Sequence, residues 1–191
     1  MSQGELFTQI VERGSFSEAD AREIIHQILD GLHYLHENGI VHRDLKPENL
    51  LCSDNGSVVI SDFGLSKFFE RGQLLHTRCG TIGYTAPEIV LGESYSPKVD
   101  LWAVGVVTYI LLSGIAPFFG HEHQVFEQIS RCDYDFPTQY FGHISDSGAT
   151  VPSLRPLELT AHTYQLWSLS NPSYNQQTYD LMQMKPCYYP G

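Results

Sequence analysis

Basic residues are scarce in this chain. Only 11 Lys and Arg stand against 22 Asp and Glu in 191 residues, a net charge of −11. Nucleic-acid binding needs clustered cations, so the balance argues against that class; an acidic surface suits either basic peptide partners or simple solubility. Cysteine is also sparse. Cys52, Cys79, Cys132 and Cys187 form no Cys-x-x-Cys pair and follow no signal peptide. That pattern predicts free thiols in a reducing compartment, the cytoplasm or the nucleus. Metal-ligand clusters are lacking too. His33/His36 and His121/His123 have no third ligand, so satisfied or surface histidines are expected. One apolar run, Leu101 to Phe119, carries no charge over 19 residues, near the length of a membrane span. Gly114 and Pro117 interrupt it and Asp100 stands at its entrance, which predicts a buried central helix and no membrane partner.

What is present is regular. Ser17-Glu18-Ala19-Asp20 has capping-box spacing, and Ile24, Ile25, Ile28, Leu29, Leu32 and Leu35 keep helical periodicity, so a helix is predicted to about Asn38. Gly39 supplies its stop. Ile40-Val41 and Leu50-Leu51-Cys52 read as short strands. Ser53-Asp54-Asn55-Gly56 turns the chain into Val58-Val59-Ile60, a hairpin that delivers Asp62 at a strand end. The triplet Asn55-Gly56-Ser57 is read as part of this turn rather than as a glycosylation site. Further helices are predicted over about Pro97–Leu112 and Glu122–Cys132. Past Gly148 the charges Arg155, Glu158, Asp180 and Lys185 cancel, so the whole net charge lies in 1–147. This tail, 148–191, is expected to lack a fold of its own.

Three motifs follow in order: His42-Arg43-Asp44-Leu45-Lys46-Pro47-Glu48-Asn49, then Asp62-Phe63-Gly64, then Ala86-Pro87-Glu88. Together they resemble the catalytic loop, metal-binding loop and activation-segment end of a eukaryotic serine/threonine protein kinase. Residues 1–147 resemble the C-terminal lobe of that fold, within the calcium/calmodulin-dependent kinase-like group. The implied fold class is protein kinase-like (α+β): a mostly helical lobe with a small β-hairpin at the catalytic cleft. The implied reaction is transfer of the ATP γ-phosphate to protein Ser or Thr hydroxyls.

Phosphoryl transfer asks a protein mainly for positioning and charge neutralisation. The resemblance makes Asp44 the base that orients the substrate hydroxyl and Lys46 the cation on the transferring phosphate. Asn49 and Asp62 become ligands of Mg²⁺, which takes few protein ligands and keeps phosphate and water oxygens. Asp62, Glu48 and Leu51 fall among the nucleotide contacts, Leu51 as the apolar floor under adenine. Asp100, in Asp-Leu-Trp-Ala-Val-Gly, should tie the catalytic loop in place. Thr81, in Gly-Thr-Ile-Gly-Tyr, marks the serine/threonine branch on the substrate side. Glu5 in Gly-Glu-Leu-Phe matches a position that receives a substrate arginine, implying Arg-x-x-Ser/Thr substrates. Thr77 matches a site phosphorylated by an upstream kinase, with Arg43 as the partner of that phosphate.

The pattern also breaks. No Gly-x-Gly-x-x-Gly, strand lysine or paired helical glutamate occurs, so the N-terminal lobe is missing from this sequence. Positioning contributes ~7–11 kcal/mol to such reactions, and the chain alone is expected to be inactive. Ile82 stands where relatives usually carry proline. Glu88 is expected to lack its arginine partner, and the central helix its cover, leaving a marginal fold. The tail carries no basic amphipathic helix, so calmodulin binding is not expected. Two alternatives stay open: a non-catalytic binding or decoy fragment, and the product of an incomplete gene model.

Overall fold

The computed structural model describes residues 4–142 and 144. The division expected after Ser147 and the tail 148–191 lie outside the described residues. Eleven regular elements are named below in chain order. They are β1 (Gly4–Glu5), α1 (Leu6–Arg13), α2 (Glu18–Glu37), β2 (Ile40–Val41), β3 (Leu50–Cys52), β4 (Val58–Ile60), β5 (Lys67–Phe68), α3 (Pro87–Leu91), α4 (Val99–Ser113), α5 (Glu122–Arg131) and α6 (Thr138–Phe141).

Helix α2 begins where its cap predicts. The Ser17 hydroxyl accepts a hydrogen bond from the Asp20 amide at 3.1 Å, satisfying one of the four free N–H groups of the first turn. Ala21, Ile25, Ile28, Leu29, Leu32 and Leu35 form its buried stripe, and the helix packs against both α4 and β4. Gly39 ends the segment at φ 70°, and a Cβ there would meet the Phe69 carbonyl oxygen at 2.9 Å. The glycine therefore serves both the left-handed turn and the close approach of the segment after β5.

Helix α4 is buried along its whole length, so it shows no polar face. Its two interior hydroxyls are satisfied locally: Thr108 donates to the Val104 carbonyl at 2.8 Å and Ser113 to that of Tyr109 at 2.7 Å. The cover expected to be missing is present. Tyr109 packs on Phe136 and Phe141, and Trp102 stacks on Phe118 with centroids 6.0 Å apart. No helix among the described residues is long and apolar enough to cross a membrane. The helix starts at Val99 rather than near Pro97, because Ser96–Lys98 forms the preceding turn.

The predicted hairpin is β3–β4, with Leu50 opposite Ile60, Leu51 opposite Val59 and Cys52 opposite Val58. It is not alone. Strand β1 adds to the edge of β3, making a three-stranded sheet, and β2 pairs with β5 in a second sheet. Both additions are two-residue strands, too short to show an alternation in sequence. Asn55 closes the hairpin by accepting from the Ser57 amide at 3.1 Å, the turn role expected of the Asn55-Gly56-Ser57 triplet. Cys52 and Cys79 carry free thiols, as expected, whereas Cys132 is disulfide-bonded.

Candidate active site

The site is built around one buried carboxylate. Asp100, on the first turn of α4, is 1 % exposed. It accepts from the His42 amide at 2.9 Å, the Arg43 amide at 2.8 Å and the His36 ring, whose Nε2 lies 2.8 Å away. Two consecutive amides reach one carboxylate because Arg43 adopts a left-handed conformation at φ 70°. Burial alone would push the Asp100 carboxyl up. The hydrogen bond and charge of His36 and the two backbone amides outweigh that, holding it below the ordinary carboxylate value. The charged form thus anchors the loop that ends in Asp44. This confirms the tie expected of Asp100. His36 adds a third donor on α2, 64 residues away in sequence. The sequence predicts only a surface or satisfied histidine at His36, because no local pattern points to its partner.

His42 is fully buried and locked at both nitrogens. Its Nδ1 accepts from the Asp44 amide at 3.3 Å, so Nε2 carries the proton and donates to the Ser61 carbonyl at 3.0 Å. The Phe63 ring meets it edge-on at 5.3 Å, fastening the Asp62-Phe63-Gly64 turn to the catalytic loop.

Asp44, Lys46 and Thr81 close into a triangle. Lys46 Nζ lies 3.0 Å from Asp44 Oδ2 and donates to Thr81 Oγ1 at 2.8 Å. Thr81 in turn donates to Asp44 Oδ1 from its amide at 2.9 Å and from its hydroxyl at 2.8 Å. Gly80 permits this approach. Its φ is +107°, and a Cβ would stand 2.7 Å from the Arg43 carbonyl oxygen. Asn49, buried, donates from Nδ2 to the Asp44 carbonyl at 2.9 Å. The Asn49 carbonyl accepts from the Ser61 amide at 2.8 Å and hydroxyl at 3.0 Å. That extends the β3–β4 pairing by one step and brings Asp62 beside Asn49. Asp62 is itself left-handed, φ 57°, with Oδ1 accepting from the Gly64 amide at 3.2 Å.

The remaining expected residues lie around this centre. Glu5, Leu51 and Val59 stand opposite one another across β1, β3 and β4, so they share one face of the sheet, and all three are exposed. Glu48 lies near Tyr84, whose phenol is pushed up first by burial and then by the Glu48 charge. Glu48 Oε2 is buried without a hydrogen-bond partner among the described residues. Thr77 is exposed, and Arg43 reaches it indirectly, through Tyr95. Ile82 opens a short 3-10 turn and packs against the core. Burial lowers the Lys98 ammonium, and the Glu88 charge works against that shift.

The sequence matches the protein kinase domain family over residues 1–162. The chain belongs to that family. It is 52 % identical over 147 residues to a Dictyostelium discoideum protein named "Probable myosin light chain kinase", covering 75 % of this chain and 42 % of that protein. Human calcium/calmodulin-dependent protein kinase type IV is 50 % identical over 147 residues, covering 74 % and 31 %. Myosin light chain kinase A of Dictyostelium discoideum is 44 % identical over 193 aligned residues, covering 95 % and 65 %. The chain thus spans 31–65 % of the length of these relatives. Their names agree with the calcium/calmodulin-dependent kinase-like resemblance.

Protein kinases generally use ATP and Mg²⁺, and the donor set here suits that pair. Among the described residues no three His, Cys, Asp or Glu side chains converge as a self-sufficient metal cage. One carboxylate and one amide oxygen, Asp62 and Asn49, fit an ion that takes few protein ligands and brings its own phosphate and water oxygens.

Proposed function

We propose that this chain supplies the catalytic, peptide-side half of an ATP-dependent serine/threonine protein kinase. The closed contact of Asp44, Lys46 and Thr81 carries the reading. Asp44 is held as an acceptor with one oxygen on Thr81 and the other on Lys46, so it can orient an incoming hydroxyl and take its proton. Lys46, tethered to Thr81, keeps a positive charge beside the point of transfer. Asn49 and Asp62 would hold the metal, which when bound neutralises charge on the phosphates. Leu51 would lie under the adenine, and Glu5 beside it would accept a substrate arginine. Glu48, counted by the resemblance among the nucleotide contacts, offers there a buried Oε2 without a hydrogen-bond partner among the described residues. Thr77 is the site for an upstream kinase, and calmodulin is not among the proposed partners.

A sequence without the glycine-rich cover carries half of a nucleotide clamp, so transfer should need that cover. The test joins residues 1–191 to the nucleotide-covering lobe of the human type IV relative and assays Mg-ATP-dependent phosphorylation of Arg-x-x-Ser, Ala-x-x-Ser and Arg-x-x-Tyr peptides. Phosphorylation of the first above the other two is expected. A folded chimera with no transfer to any of them would leave the binding-fragment reading in its place.

A further inference from the structure

Tyr95, between α3 and α4, is 2 % exposed and belongs to none of the kinase motifs. Its backbone pairs with Leu75 in both directions, amide to carbonyl at 2.8 Å and 2.9 Å, forming an isolated antiparallel bridge. Its hydroxyl donates to the Thr77 carbonyl at 2.6 Å and accepts from Arg43 NH1 at 3.2 Å. Burial raises the Tyr95 phenol, the Arg43 hydrogen bond offsets part of that, and the neighbouring Cys79 raises it again. Arg43 meanwhile donates from Nε to the Leu65 carbonyl at 2.7 Å, just past the Asp62-Phe63-Gly64 turn. Among the described residues, the hydrogen bond that ties 76–79 to the rest of the fold is the one from this phenol. That phenol touches the residue next to Asp44.

We infer that the Tyr95 hydroxyl is a positioning group that clasps the activation segment to the catalytic loop through Arg43 while Thr77 is unmodified. Three short segments are linked through it and Arg43: the stretch at Thr77 and the loop before Asp44 by the hydroxyl itself, and the turn after Asp62 by Arg43 Nε. A buried donor and acceptor with this many partners fixes their separation in a way that a phenyl ring of equal size cannot. A phosphate placed on Thr77 would then meet a segment that is already docked.

The test is amide hydrogen exchange on the 191-residue chain without nucleotide, comparing wild type, Tyr95→Phe, Arg43→Lys and the double variant. Tyr95→Phe keeps the ring and the backbone bridge and removes the hydroxyl alone. Exchange should rise about tenfold at 76–80 and at 43–45, the local opening that one lost hydrogen bond produces, with α4 unchanged. Arg43→Lys keeps the charge but not the fork, and should raise exchange at 76–80 similarly. The double variant should exceed neither single one, since both cut the same relay. Unchanged exchange at 76–80 in Tyr95→Phe, a uniform rise that includes α4, or additive effects in the double variant would each overturn the inference. Because exchange is read without catalysis, its outcome is independent of whether the chain transfers phosphate.

Discussion

Replacing Asp100 by asparagine removes the charge on which three donors converge while leaving size and shape almost intact. The amide oxygen can still accept, but its NH₂ must face at least one of the His42 amide, the Arg43 amide or His36 Nε2, all within 2.9 Å of the present carboxylate. Breaking a buried, hydrogen-bonded charge typically costs ~3–5 kcal/mol, against a usual domain stability of ~5–15 kcal/mol. For a chain of this size that corresponds to a fall in melting temperature of about 6–20 °C. Circular dichroism melts at pH 7 measure it, and exchange at the His42 and Arg43 amides localises it. The pH dependence has a definite sign. Asp100 titrates below its unfolded value of roughly 3.9, so its contribution is full above that pH and is lost as pH falls through the folded value. The gap between wild type and Asp100→Asn should therefore narrow in acid. A melting shift under about 2 °C at pH 7 would show that the convergence of three donors on Asp100 does not anchor the loop.

Other consequences are equally open to measurement. Gly80→Ala places a methyl 2.7 Å from the Arg43 carbonyl at a φ that L residues avoid, and should destabilise the chain by ~1–3 kcal/mol in urea melts. In the active chimera, Thr81→Ala should lower turnover by roughly 10–150-fold, from hydrogen bonds to charged groups worth ~1.5–3 kcal/mol, with Thr81→Ser largely retaining activity. Ser17→Ala removes the α2 cap and should cost ~1 kcal/mol in the same urea series. The Tyr109 phenol, raised by burial and then by the charges of Asp135 and Tyr140, should titrate at about 12 by ultraviolet absorbance, a late step absent in Tyr109→Phe.

Long periodic elements and contiguous motifs were legible in the sequence, because their information is local. Helix α2, with its Ser17 cap and six-residue apolar series, and the β3–β4 hairpin emerge close to where they were read. Asp44, Lys46 and Asn49 share one loop, and Asp62 follows from strand pairing. The two-residue strands β1 and β5 were not legible, since pairing rather than pattern defines them. Nor were His36 and Tyr95, whose roles arise from partners 64 and 52 residues away. Cover for α4 comes from Phe118, Phe136 and Phe141, aromatic residues in loops and a short helix where no periodicity marks them.

The most direct measurement is a single-turnover phosphate transfer from Mg-ATP to an Arg-x-x-Ser peptide by the lobe chimera, run beside its Asp44→Asn variant. Transfer that falls at least about 100-fold in the variant, with nucleotide binding unchanged, is the result this arrangement of Asp44, Lys46 and Thr81 predicts. Equal rates in the two proteins would contradict it, because the carboxylate held by Lys46 and Thr81 would then take no part in the chemistry.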